Sequence, residues 1–294
     1  MNKIFKVIWS KSKQCYIVVS EIAKNKTGKK KIVVAGIFAA LAMVNGGQAT
    51  FAAWPAGGEG AQSAFWMGRS SSATGQNAQA IGVAANASSA KSVAIGSDSF
   101  AQGVPSGGEA NAATAVGAHS NATGPGASAF GFKAIANAGN ATAIGTDANV
   151  SGQYSVGVGW KSKVTVDNSI AIGEQAKALK EGSSVMGPDA RGYGNGSLSL
   201  GYQALAGANT YTGAVNNGAP FDDKAATINA YNKWGDAAIG LRAVATGGNA
   251  TALGRSASAT AANAIAIGGG NGDSAIDNTE KTEATGEKST AIGY

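Results

Sequence analysis

A glycine recurs every fourteen residues along most of this chain, and each time it closes the same short phrase. It stands at Gly68, Gly82 and Gly96, then at Gly117, Gly131, Gly145, Gly159, Gly173, Gly187 and Gly201. It returns at Gly240, Gly254 and Gly268, and last at Gly293. Ten of the thirteen intervals are 14. The others are 21, 39 and 25, so insertions of 7, 25 and 11 residues separate units that keep register. A fixed period this short means stacked coils of one chain.

Aligned on that glycine, the preceding residue is a sizeable apolar one, such as Ile95, Phe130, Ile144, Ile172 or Leu200. The residue two before is usually alanine, as at Ala94, Ala129, Ala143 and Ala171. Large–small–large alternation predicts a short strand with one face inward. A second small pair follows at plus three and plus five, as in Ala85/Ala87 and Ala134/Ala136, and predicts a second strand. Glycines such as Gly75, Gly124, Gly152 and Gly247 recur at plus seven, where the chain turns back; at such bends glycine removes the penalty for positive φ. Fourteen residues are too few for a strand–helix unit, whose crossover alone takes about a dozen residues. The expected fold is all-β: a parallel β-roll or solenoid of 14-residue repeats, each with two short strands and two turns. One or two large apolar residues per coil do not offset the ordering of a whole coil at about 1–2 kcal/mol per residue. A homo-oligomer packed along the axis is therefore expected.

The first fifty-odd residues are a different substance. Ile32 to Val44 is an apolar run preceded by Lys29, Lys30 and Lys31, the layout of a signal peptide and too short for a permanent span. Small residues around Thr50-Phe51-Ala52 place cleavage near Ala52 and Ala53. Residues 1–24, with Trp9, Cys15 and Tyr16 set between lysines, closely resemble the extended signal peptide region of large Gram-negative autotransporters. The expected division is thus 1–52 as extended signal peptide (1–24 extended region, 25–52 signal peptide proper) and 53–294 as the repeat region.

Removing the leader changes the composition. Residues 1–52 carry nine lysines and one glutamate, or +8. The rest carries 14 basic and 16 acidic residues, or −2, from totals of 23 and 17. The basic pI belongs to the leader, so the repeat region has no electrostatic footprint for nucleic acid. The one cysteine, Cys15, also lies in the leader, which rules out disulfides and thiolate metal sites downstream.

Catalysis is hard to build from what remains. His119 is the only histidine, two residues after a repeat glycine and so expected on a solvated turn. No Gly-x-Ser-x-Gly elbow occurs, and the glycine-rich run at 268–272 lacks the Lys-Ser/Thr of a phosphate loop. No catalytic residue, metal ligand or cofactor is expected. The chain reads as a non-enzyme.

The phrases Ser92-Val93-Ala94-Ile95-Gly96 and Asn168-Ser169-Ile170-Ala171-Ile172-Gly173 resemble the head repeats of trimeric autotransporter adhesins of the YadA-like type, over about 64–294. The resemblance implies a left-handed β-roll wound as a homotrimer, exported through the inner membrane and displayed at the cell surface or outer membrane. Its implied role is attachment to host matrix proteins such as collagen or fibronectin, to host cells, or to other bacterial cells in autoaggregation and biofilm. A full member continues into a neck, a coiled-coil stalk and a C-terminal β-barrel anchor. No heptad run or barrel strand set occurs here, so an N-terminal fragment without neck, stalk and membrane anchor is expected.

In collagen-binding relatives, binding is attributed to a repeated Asn-Ser-Val-Ala-Ile-Gly phrase. It carries onto Asn168, Ser169, Ile170, Ala171, Ile172 and Gly173, with Ile170 for valine, while Lys91 replaces the asparagine of 91–96. The second candidate is the insertion within 207–235, whose Tyr211, Phe221, Tyr231 and Trp234 suggest a contact patch. Further insertions are expected near 103–110 and 269–288. Trp54 and Trp66 are expected to cap the first coil. A structural spacer projecting another domain is the alternative function. An ice-binding solenoid is remote, because Thr114, Thr142 and Thr251 share their column with Val93, Ser128, Val156 and Ile170, which breaks any threonine ladder.

Overall fold

The computed structural model describes residues 64–103, 112–207, 235–270 and 281–293, together with the strands Phe5–Ser10, Cys15–Ser20, Thr210–Tyr211 and Ala226–Thr227. The chain divides into two compact units, 1–48 and 49–294. In the first, Phe5–Ser10 pairs antiparallel with Cys15–Ser20.

The second unit is a parallel solenoid with no helix among its described residues. Three-residue strands ending just before the repeat glycine, such as Ser128–Phe130 and Thr142–Ile144, stack into one sheet of fourteen strands. Two-residue strands at plus four and plus five, such as Asn121–Ala122 and Ile135–Ala136, stack into a second sheet of thirteen. Register follows the repeat, with Ala115, Ala129 and Ala143 in line. It survives each insertion: Val93 pairs with Thr114, Leu198 with Ala237 and Ile265 with Thr290. Insertions leave the ladder intact because parallel pairing is set coil by coil, and a bulge at a turn need not shift the next strand.

The core is a sandwich of methyl groups. Ala127, Ala129, Ala134 and Ala136 of one coil are all fully buried, as are Ala141, Ala143 and Ala148 of the next. Trp66 takes the inward position in the first strand, where it packs against the alanine cluster as the expected cap. Trp54 lies outside the described residues.

Where valine enters the core, glycine faces it. Val150 and Val164 are fully buried, and a Cβ on Gly157 would lie 2.6 Å from Val150 Cγ2. Likewise a Cβ on Gly192 would lie 2.8 Å from Val185 Cγ2. The two sheets thus hold one spacing by trading volume across the gap. Gly157→Ala is expected to cost about 1–3 kcal/mol by overpacking. Adding Val150→Ala should return most of that loss, a coupling readable in a double-mutant cycle by thermal denaturation.

The glycines divide into two kinds, which corrects the expectation that all bends need positive φ. Repeat glycines do, with φ of 131° at Gly131 and 126° at Gly145. The plus-seven glycines Gly75, Gly124, Gly152 and Gly247 do not have positive φ; they are needed because the next coil's backbone lies against them. Left-handed residues instead fall at plus two and plus nine and are mostly not glycine. Asp98, His119, Lys133, Asp147 and Lys161 hold φ of 53° to 56° at plus two. Asn77, Lys91, Asn140, Tyr154 and Asn168 hold φ of 54° to 60° at plus nine. Each coil is therefore two seven-residue halves with the same turn. Hydrogen bonds to the preceding coil offset the strain of that turn, as where Asp147 N–H donates to Phe132 O at 2.9 Å.

Candidate functional site

Strand alternation sends alanine inward, so the large residue before each repeat glycine must point out. Ile95, Phe130, Ile144, Ile172, Met186, Leu200 and Leu253 form one column on the outer face of the first sheet, each 36% to 42% exposed. Val116, Val158 and Ile239 fill the coils between them, and in-register pairing stacks successive members about 4.8 Å apart, so the column is a continuous apolar stripe rather than scattered contacts.

Within the phrase at 168–173 the structure separates two sets. Ser169 and Ala171 are fully buried, so neither reaches a ligand. Ser169 Oγ donates to Asp167 O at 2.8 Å and tightens the turn. Asn168, in the left-handed turn, and Ile170 and Ile172, each more than a third exposed, face outward, while Gly173 packs its backbone against Gly187. The serine and alanine of the phrase thus serve the fold. Tyr211 lies in a strand that pairs antiparallel with Ala226–Thr227. Phe221, Tyr231 and Trp234 lie outside the described residues, as do Ala52 and Ala53.

His119 is on the expected turn, half exposed, with Nδ1 3.9 Å from Asp98 Oδ2. Among the described residues no group of three or more His, Cys, Asp or Glu is placed to hold a metal ion.

Sequence reasoning missed a buried polar network. Arg191 is fully buried, although its repeat position is exposed at Lys163. Its guanidinium donates to Asp189 Oδ1 at 2.6 Å and to Gln175 O at 2.7 Å. Gln203 Nε2 donates to Asp189 Oδ2 at 3.2 Å, and Arg242 Nε donates to Gln203 Oε1 at 3.1 Å. Gln175, Asp189, Gln203 and Arg242 all occupy plus two, so their shared column was the available signal. Buried Asp236 accepts from the N–H groups of Gly248 and Ala250, both at 2.8 Å.

Comparison with known families matches residues 1–49 to the extended signal peptide of the type V secretion system. The YadA head domain repeat matches at 73–99, 109–134, 136–162, 167–190, 245–271 and 281–294. The chain belongs to the trimeric autotransporter adhesins. Members carry out attachment rather than catalysis, and the extended signal peptide with a YadA-like head marks export through the inner membrane to the bacterial cell surface. Among solved structures, the chain is similar to the collagen-binding domain of the Yersinia adhesin YadA. Identity is 25%, with 46% of this chain and 63% of that one covered, at a TM-score of 0.32. The match thus spans less than two thirds of that structure's chain. No curated protein matches the chain.

Proposed function

We propose that this chain is an adhesin head that assembles as a homotrimer and attaches the cell to host matrix proteins such as collagen or fibronectin, or to other bacterial cells. The apolar stripe on the first sheet carries the reading. A contiguous apolar surface the length of the solenoid exceeds what a soluble monomer usually leaves in water. Its one-residue-per-coil spacing suits three copies aligned in parallel, each stripe facing the same heights of its neighbours. Asn168, Ile170 and Ile172 are the outward part of the collagen-type phrase. Tyr211, Phe221, Tyr231 and Trp234 in the insertion are a second contact candidate. Residues 1–52 would be removed on export, leaving 53–294 as the head.

Sedimentation tests the assembly. The exported protein is expected to run as a trimer, and Ile144→Lys with Ile172→Lys is expected to reduce it to monomer, because each lysine would be buried against apolar partners. A folded wild-type monomer would remove the trimeric reading. Binding of the wild type to immobilised collagen and fibronectin tests the ligand half separately.

A further inference from the structure

One edge of the solenoid carries large residues that the fold does not require. The position just after the repeat glycine holds Ser97, Ala118, Thr146 and Glu174 in four coils, so the turn makes no demand for bulk there. Yet it holds Phe132 and Trp160 in two others, 45% and 42% exposed. Each is followed by a lysine in the left-handed conformation, Lys133 at φ 55° and Lys161 at φ 54°. That turn swings the ammonium back over the ring: Lys133 Nζ lies 5.1 Å from the Phe132 centroid and Lys161 Nζ 4.3 Å from that of Trp160. His119 stands edge-on to Phe132, centroids 5.8 Å apart.

The backbone under these side chains is a rigid ladder. Lys133 N–H donates to Ala118 O at 3.0 Å, Asp147 N–H to Phe132 O at 2.9 Å, and Lys161 N–H to Thr146 O at 3.0 Å. The two aromatic–ammonium pairs are therefore held two coil rises apart, about 10 Å. Between them stand Thr146 and the carboxylate of Asp147.

We propose that this edge binds a linear glycan whose disaccharide repeat carries one carboxylate, a uronate-containing polysaccharide, lying along the solenoid axis. The flat ring packs on the C–H-rich face of a pyranose, and the adjacent ammonium pairs with a carboxylate on that sugar. Two coil rises match the length of a disaccharide, so each repeat of the glycan meets one ring and one ammonium. Thr146 and Asp147 meet the intervening uncharged sugar, whose hydroxyls donate to the carboxylate that would repel a second acid. The site differs from the apolar stripe and does not depend on which matrix protein that stripe or the insertion engages.

The test uses the exported protein and immobilised hyaluronan oligosaccharides, with chitin oligosaccharides as the neutral probe. Binding to hyaluronan is expected to exceed binding to chitin at least tenfold and to weaken as salt rises. Phe132→Leu with Trp160→Leu keeps apolar bulk but removes the flat faces, and is expected to cut binding about tenfold or more. Lys133→Gln with Lys161→Gln, which leaves the rings in place, is expected to cut it similarly and to flatten the salt dependence. Circular dichroism and sedimentation should be unchanged in both. Absence of hyaluronan binding, equal binding of chitin, or wild-type affinity in the leucine variants would overturn the proposal. So would a change of oligomeric mass on either substitution, which would assign the edge to contact between copies.

Discussion

Gly152→Ala is expected to be among the most damaging single substitutions in the solenoid, although it adds one methyl group at an ordinary φ. A Cβ there would lie 1.7 Å from the carbonyl oxygen of Val166 in the next coil. That oxygen belongs to the backbone and cannot rotate away, so the two coils must separate or the turn must refold. The expected loss is about 3 kcal/mol or more, at the upper end for overpacking. Val166 occupies the same repeat position one coil on, and Val166→Ala is expected to cost below about 1 kcal/mol. Thermal denaturation followed by circular dichroism compares the two. Equal effects would show that the close approach of these coils is not what requires glycine.

Arg191→Ala is expected to cost about 3–5 kcal/mol, because it leaves a buried carboxylate whose cation has gone. The side chains of Arg191 and Asp189 are 1% and 9% exposed, so solvent does little to screen the loss. Replacing both, as Arg191→Met with Asp189→Leu, should recover most of the stability, since an apolar pair avoids the desolvation that the ion pair has to offset. In a solenoid each coil touches only its neighbours, so the damage should be local. Hydrogen exchange should quicken around 187–206 and stay slow near 127–150. Uniform loss of protection along the solenoid would contradict that local picture.

These two cases mark what one sequence can and cannot disclose. Gly152 was visible as a recurring glycine, but the reason for it was not. Periodicity signals a bend, whereas only the distance to the Val166 carbonyl distinguishes a close approach from a positive φ. Arg191 shares its repeat position with the exposed Lys163, and its burial depends on packing that no local pattern encodes. The phrase at 168–173 fell between. Its residues were named from the resemblance, and alternation places Ser169 and Ala171 inside, which leaves Asn168, Ile170 and Ile172 to face outward. Phe132 and Trp160 share the position just after the repeat glycine in the sequence, but the ammonium lying over each ring is visible only in the structure.

The sequence by itself determined the coil length, the parallel stacking and the alternation of large and small residues along each short strand, because each follows from periods of two and fourteen that any stacked chain must obey. Only the tertiary structure decided which glycines are held by contact and where valine is answered by glycine across the core. It alone decided which polar side chains are buried together and which ammonium groups lie over an aromatic ring. Most of those outcomes depend on distances between residues a full coil or more apart, set by the meeting of two sheets rather than by any local stretch of chain.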